Sequence, residues 1–338
     1  MGLWMFWFNH DEWKHLYNCS RKTPQEWNAE GQPNMPLGII YSSMGITCEI
    51  VYIPFIIAML KPEFIQHSCF KFMFLIAIID MIELPFNSVI SGIQCATGEH
   101  FCNNVNLYYT VGCIGIACWY SGCMTCIFLA FNRLFELCFP KFAEKLYGGW
   151  RIYVWLVIPV LEFIWCALFE KPALYSIKLH AWFFNPFELV EDLRYPTPLT
   201  SHFHIVHNSL TMILMSGSYF ALIVFMYVKY RFYQAETVSK LQKLMTIQAV
   251  LVCFEMCVAA GICILMQHVH LPTILAVIAH VGWIMVNGDN PFVYFLINKS
   301  MRRAVINMLL RLFNHESISS TRVGHLNYGA RNENNAMP

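Results

Sequence analysis

The chain has 338 residues, of which 57% are hydrophobic, 16% aromatic and 13% charged, with a formal net charge of +1 and a mean hydropathy of +0.47. That length could supply two soluble domains, but so apolar a composition places the chain in the membrane class instead. A charge this close to neutral offers nothing that would recruit nucleic acid, so what carries information is where the charges sit.

Residues 1–36 lack the basic-then-apolar pattern of a signal peptide, and the apolar opening Leu3 to Phe8 is too short to span a bilayer. Asn18-Cys19-Ser20 is an Asn-x-Ser acceptor for glycosylation at Asn18. Spanning helices are predicted at 37–60, 71–93, 105–131, 150–169, 203–228, 244–267 and 272–297. Seven crossings put the termini on opposite sides. The connections after the first, third and fifth segments, with the C-terminal region, hold 16 of the 22 Lys and Arg residues, against 6 on the other side. The positive-inside bias therefore predicts an N-terminus outside and a C-terminus in the cytoplasm. The expected organisation is an extracellular region at 1–36, a seven-helix bundle with an amphipathic cytoplasmic helix at 37–313, and a disordered cytoplasmic tail at 314–338 rich in Asn, Ser and Gly. Neither a soluble domain nor an internal repeat is discernible.

Fourteen cysteines suggest a disulfide framework until they are placed, because most fall inside predicted helices, where they act as small packing residues. Cys123 and Cys126 have redox or zinc spacing, yet within a spanning helix packing is the favoured role. Only Cys19, Cys95 and Cys102 fall on the oxidising side; Cys19 could join Cys102 or Cys95, and sequence does not choose.

Acids at membrane depth are functional candidates by default, although a protonated carboxyl can also simply tie helices together. The structural role is favoured for Glu83, Glu162 and Glu255, and the two roles stand level for Glu49 and Asp80. Asp80 could meet Asn287 and Asn290, which lie three apart on one face of the last segment. That segment, Pro272 to Ile297, is the most informative in the chain: an apolar run carrying Asn287-Gly288-Asp289-Asn290-Pro291-Phe292-Val293-Tyr294. A carboxylate, two amides, a proline and a phenol are each costly in hydrocarbon, so they are expected to face other helices. Asn298 to Arg303, followed by Val305, Ile306, Leu309, Leu310 and Phe313 at helical spacing, reads as a basic amphipathic helix along the membrane surface.

The third segment ends Leu129-Ala130-Phe131-Asn132-Arg133-Leu134, with Arg133 placed to snorkel toward water or a partner. His202, His204 and His207 cluster before the fifth segment, and His268 and His270 before the seventh, but no acidic partner is evident for a metal site and none is assigned. Nucleophile elbows, phosphate-cradling glycine loops and His-Glu-x-x-His are absent, so no catalytic residue is expected.

Seven helices, Asp80 within Ile76 to Asp80, Asn132-Arg133-Leu134, and Asn290-Pro291-Phe292-Val293-Tyr294 together resemble a seven-helix G-protein-coupled receptor. More narrowly, the chain resembles the nematode chemosensory receptors called serpentine receptor class T. The motifs run in order: Tyr17 to Ser20 with Trp27, Gly38 to Tyr41, Glu49 with Tyr52-Ile53-Pro54, Ser68 to Lys71, Asp80, Leu129 to Arg133, Ala181 to Phe187, and Asn298 to Arg303.

The resemblance implies a chemosensory receptor of the plasma membrane, in a sensory cilium, with three partners: a small-molecule ligand, a heterotrimeric G protein and membrane lipid. It leaves pairing with a second receptor open. It implies G-protein coupling at Arg133 with Asn132, activation through Tyr294, Pro291 and Asn290, and a polar core of Asp80, Glu49, Asn287 and Asp289 in which Asp80 with Asn290 could hold sodium. The chain also departs from the large rhodopsin-like class. Asn132 replaces an acid, Lys240 to Met245 supplies no carboxylate to lock Arg133, segments five and six lack proline, and residues 170–202 contain no cysteine to bond segment three. Pocket candidates are therefore taken only by position, from the outer halves of segments three and five: Tyr108, Tyr109, Trp119, Tyr120, His207 and Asn208. A ligand-gated channel or transporter is the alternative, motivated by the membrane-depth acids and opposed by the lack of an inverted repeat.

Overall fold

The computed structural model describes residues 2–17, 19–185, 187, 201–233, 240–269 and 272–312. Asn18, His270 and the tail 314–338 lie outside the described residues.

Seven apolar segments form one helical bundle. The first helix, Met35–Met59, starts where Asn34 accepts the Leu37 amide at 3.2 Å, and Pro36 in its first turn has no amide to waste. The second, Ser68–Leu84, passes through a wider turn at Pro85–Ile90 into Ser91–Thr97. Pro85 removes a hydrogen bond from the ladder, and a single π-turn absorbs the extra residue. Gly98 ends it in the left-handed conformation at φ 70°. The third helix, Val105–Cys138, touches the second, fourth, fifth and sixth and is the bundle's axis. Arg151–Phe169, His202–Tyr233 and Lys240–His268 follow.

Six of these helices are long and apolar enough to cross a membrane. The seventh segment differs from the predicted continuous run 272–297: it is a pair, Thr273–Gly288 and Asn290–Ile297, interrupted at Asp289. Pro291 causes the break, because it cannot donate back into the ladder and its ring crowds the preceding turn. The third helix also outruns its predicted end at 131 by two turns. Residues 299–312 are helical.

The bundle is inverted relative to a soluble protein. Ile50, Leu161, Phe220, Ile223 and Leu296 are 59–72% exposed, while Asp80, Glu83, Asn132, Arg133, Asn287 and Asn290 are at most 2% exposed. Apolar side chains outside and hydrogen-bonding ones inside is the arrangement that hydrocarbon solvent selects.

One face of the bundle holds the N-terminal region, called the N-terminal face below. Leu3–Phe8 packs against the fourth helix and, together with His10–Leu16, covers Tyr109, whose hydroxyl donates to Gly2 O at 3.2 Å. Pro24–Ala29 is nucleated by a capping box, in which Thr23 Oγ1 accepts the Glu26 amide and Glu26 accepts the Thr23 amide at 2.7 Å. Between helices four and five an antiparallel hairpin, Leu174–Ser176 with Ala181–Phe183, folds down into the bundle mouth.

Candidate functional site

Beneath the hairpin lies a cavity of about 640 Å³. Its walls come from the third, fifth, sixth and seventh helices and the hairpin itself, and they are mainly aromatic and aliphatic: Trp119, Trp182, Phe184, Phe254, Ile262 and Trp283. Size and lining are those of a small-molecule site. Polar groups interrupt this lining at Asn185, His204, Gln267, His268 and His280, and at the acids Glu255 and Asp289. Glu255 on the sixth helix and Asp289 at the break in the seventh both line the cavity and interact electrostatically with one another.

Of the six pocket candidates taken from sequence, only Trp119 lines this cavity. Asn208 and Tyr120 stand one layer behind. The Trp119 indole donates to Asn208 Oδ1 at 3.0 Å, which turns Asn208 Nδ2 toward His204 Nε2 at 2.8 Å. That nitrogen must accept, so His204 carries its proton on Nδ1 and donates to Tyr120 OH at 3.2 Å. His207 points instead between helices four and five, where Nε2 meets Glu162 Oε1 at 3.2 Å. The acidic partner that sequence did not supply is therefore Glu162, and the pair is too small for a metal site; no cluster of three or more metal-binding side chains occurs among the described residues. Tyr109 is sealed under the N-terminal helices, and Tyr108 lies beside Glu99. The cavity sits between helices three, six and seven because the hairpin fills the space nearer helix two. The acids Glu255 and Asp289 are 34 positions apart in sequence, so their meeting was not readable from it.

The hairpin is fixed without a cysteine of its own. Tyr41 OH donates to His180 O at 3.0 Å, Trp182 Nε1 donates to Ser91 Oγ at 2.7 Å, and Gly112 on the third helix lets the hairpin backbone approach so closely that a Cβ there would meet Ala173 O at 2.2 Å. The N-terminal region covers the mouth from the side. Cys19 is bonded to Cys102, and Cys95 is a buried free thiol 3.5 Å from His180 Nδ1. Trp27 Nε1 donates to Cys19 O at 2.8 Å and its ring stacks on His100 at 4.5 Å. His100 Nδ1 in turn accepts the Cys102 amide at 3.1 Å. Burial lowers the His100 imidazole to about 4 from its usual 6.5. Glu30 bridges Lys178 of the hairpin turn and Lys22, and those two ammonium groups hold its carboxyl at about 2.

A polar seam runs from the cavity floor toward the opposite face. Asp80 Oδ2 accepts from Asn290 Nδ2 at 2.9 Å and from Tyr52 OH. Asn287 does not join it; its amide turns back to Trp283 O at 3.2 Å. Glu49 is half-buried on the first helix, outside the seam. Glu83 Oε1, Asn290 Oδ1, Asp289 Oδ1 and Tyr294 OH are buried with no hydrogen-bond partner. Orphaned hard oxygens beside a carboxyl suit a sodium ion, so these residues fit the cation that the resemblance implies near Asp80. Tyr294 is fully buried, and Asn298 Nδ2 donates to Gln248 Oε1 of the sixth helix at 3.2 Å.

Arg133 does not snorkel. It is completely buried, with its guanidinium donating to Asn132 Oδ1 at 2.5 and 3.2 Å and to Glu136 Oε2 at 2.6 Å. Asn132 Nδ2 reaches Ser68 Oγ at 2.8 Å, and Ser68 donates to Glu136. A carboxylate lock for Arg133 therefore exists, one turn beyond it on its own helix; the predicted helix end at 131 hid this i,i+3 pair.

The chain matches the family described as serpentine type seven-transmembrane GPCR chemoreceptor Srt over residues 3–317. It is 23% identical over 296 residues to Serpentine receptor class T-55 of Caenorhabditis elegans, spanning 87% of this chain and 80% of that one. Its fold is similar to that of squid rhodopsin, with a TM-score of 0.63 at 14% identity, covering 88% of this chain and 89% of the other.

Proposed function

Because the chain belongs to the Srt family of serpentine seven-transmembrane chemoreceptors, we propose that its hairpin-capped cavity receives a small molecule from outside the cell and that its opposite face then activates a heterotrimeric G protein. The observation that carries this is the seventh segment: its first half walls the cavity through His280, Trp283 and Asp289, and its second half puts Asn290 on Asp80 and Tyr294 into the core. A ligand that binds better when this segment and the sixth helix are rearranged shifts a pre-existing equilibrium. Moving it from mostly off to mostly on takes about 5 kcal/mol of differential binding.

In this reading the N-terminal face is extracellular, the receptor sits in the plasma membrane, and Arg133 with Asn132 forms the coupling surface once Glu136 lets go. Sodium held by Asp80, Glu83 and Asn290 would supply a fixed positive charge that ties the second and seventh helices together. Nothing in this mechanism requires pairing with a second receptor or residence in a cilium. The test is a cell line carrying the chain and a promiscuous G protein, screened with volatile and water-soluble small molecules. Arg133→Ala is expected to abolish the response at unchanged surface expression. A ligand-evoked current without G protein, or a response indifferent to Arg133→Ala, overturns the assignment.

A further inference from the structure

On the face opposite the N-terminal region, a second hollow of about 500 Å³ opens between the turn after the first helix and the helix 299–312. One wall is a stripe of that helix: Arg303, Asn307 and Arg311 recur every four residues and so share a face, spread over about 12 Å at 1.5 Å per residue. The other wall carries Lys61, whose ammonium donates to Ala304 O at 3.3 Å and keeps two more N–H groups for another acceptor. That bond ties the turn to the buried edge of the helix, where Met301, Ala304 and Val305 pack into the bundle. The positive charges here are not neutralised by the protein. Among the described residues no carboxylate forms an ion pair with Lys61, Arg303 or Arg311, and Glu63, the one acid in the lining, is not paired either. Three cations and one carboxylate give the hollow a net charge of +2. Arg302 behaves differently: it donates to Phe295 O at 2.9 Å and lies over the Phe295 ring, so it closes the end of the seventh segment and does not face the hollow. On the neighbouring face of the helix Ile306, Leu309 and Leu310 are exposed, and Leu312 carries that apolar surface to the lip of the hollow. In a chain that spans lipid such a surface lies among acyl chains, which sets the hollow at the depth of the lipid phosphates.

Resting on the reading that this face is cytoplasmic, we propose that the hollow holds the headgroup of a phosphoinositide, an inositol phospholipid bearing phosphomonoesters, drawn from the inner leaflet. Its ring phosphates lie between Arg303 and Arg311 on one side and Lys61 on the other, and its acyl chains run past Leu312 into the bilayer. The charges match: a phosphomonoester carries roughly −1.5 to −2, enough to neutralise the hollow, whereas the single net negative charge of phosphatidylserine leaves half of it uncompensated. Guanidinium groups also meet phosphate oxygens two at a time, which a carboxylate-free stripe of arginines leaves them able to do. Glu63 repels weakly charged anions and so sharpens the preference for a multiply charged one. A bound headgroup bridges the turn after the first helix and the helix that follows the seventh segment, stapling the two together at the membrane surface.

The test uses the full chain in phosphatidylcholine nanodiscs doped with either phosphatidylinositol 4,5-bisphosphate or phosphatidylserine at equal total charge, with the lipid retained by the released protein counted by native mass spectrometry. The phosphoinositide is expected to be retained about tenfold more tightly than phosphatidylserine, since each basic residue at the surface contributes roughly fivefold. Arg303→Gln is expected to weaken retention roughly fivefold, and Lys61→Gln/Arg303→Gln/Arg311→Gln to abolish the preference. Lys299→Gln removes the same charge from an exposed position of the same helix outside the hollow and is expected to change retention little. Equal retention of the two lipids, or equal effects of Arg303→Gln and Lys299→Gln, overturns the proposal, the second by showing only diffuse attraction to a basic surface. Displacement by free inositol 1,4,5-trisphosphate as readily as by the lipid assigns the hollow to a soluble phosphate, and displacement by a decaglutamate peptide assigns it to an acidic protein segment; either also overturns it. The comparison of lipids on the unaltered chain stands even if a variant fails to fold. A nanodisc presents lipid at both faces, so a failure to retain phosphoinositide sinks the lipid site alone, whereas the orientation stands or falls on which terminus is labelled on intact cells.

Discussion

At the scale of single residues, two side chains set measurable thresholds. His100 sits neutral between Trp27 and Phe101, with burial lowering it from 6.5 to about 4. Above pH 6.5 folded and unfolded chains are both unprotonated there. Between 6.5 and 4 only the unfolded chain takes the proton, so stability falls through that window and levels off below it. The full shift corresponds to a loss on the order of 3 kcal/mol. Thermal unfolding between pH 7.5 and 4.5 is expected to be flatter for His100→Gln than for the wild type; parallel curves would remove His100 from the account. Glu136 is the second. Its ion pair with Arg133 has one partner 1% and the other 28% exposed, so breaking it leaves a buried guanidinium held only by Asn132. Glu136→Gln is expected to raise ligand-free nucleotide exchange on the G protein severalfold, and an unchanged basal rate would show that the pair is merely structural. Arg133 itself stood out in the sequence as a cation at the edge of an apolar run. Glu136 did not, because hydropathy ended the helix seven residues too soon, before Glu136.

Between elements, the cover over the cavity is a composite. The N-terminal region, the 98–104 connection and the hairpin each contribute a side chain to one knot around Cys19–Cys102, Trp27, His100 and Glu30. A bond closing a loop of 83 residues restrains the unfolded chain by roughly 4 kcal/mol in the chain-entropy description. Cys19→Ser and Cys102→Ser should each lower the unfolding midpoint by several degrees and to the same extent, whereas Cys95→Ser should leave the non-reducing mobility and the bond intact; a larger loss in Cys95→Ser would reassign the pairing. The cysteine count narrowed this bond to three residues, but the choice among them depended on where Trp27 and His100 bring the chains together. Likewise the lack of cysteine in residues 170–202 was plain from the sequence, while its replacement by Tyr41, Trp182 and Gly112 depends on long-range packing.

For the whole molecule, hydropathy alone located all seven segments, because in lipid the apolar surface has to be continuous over a fixed thickness. What faces inward was less legible: Asp80 with Asn290 could be paired from their periodicity, but Glu255 with Asp289 could not, since helices six and seven meet only through packing. The proposed orientation in the membrane rests on the Lys and Arg bias. An epitope placed before Gly2 is expected to be labelled on intact cells and one after Pro338 only after permeabilisation. Labelling of both on intact cells would contradict the assignment of faces.

The interruption at Asp289 gives the last segment a fulcrum. Each arm is a stiff rod of helix, the longer one walled against whatever occupies the cavity and the shorter one carrying Asn290 and Tyr294 in the core. A few degrees of swing in the long arm therefore reaches the far side without any intervening chain having to unwind. Straightening the joint, as by Pro291→Ala, would be expected to couple the arms too rigidly and to uncouple occupancy of the cavity from signalling while leaving ligand affinity close to that of the wild type.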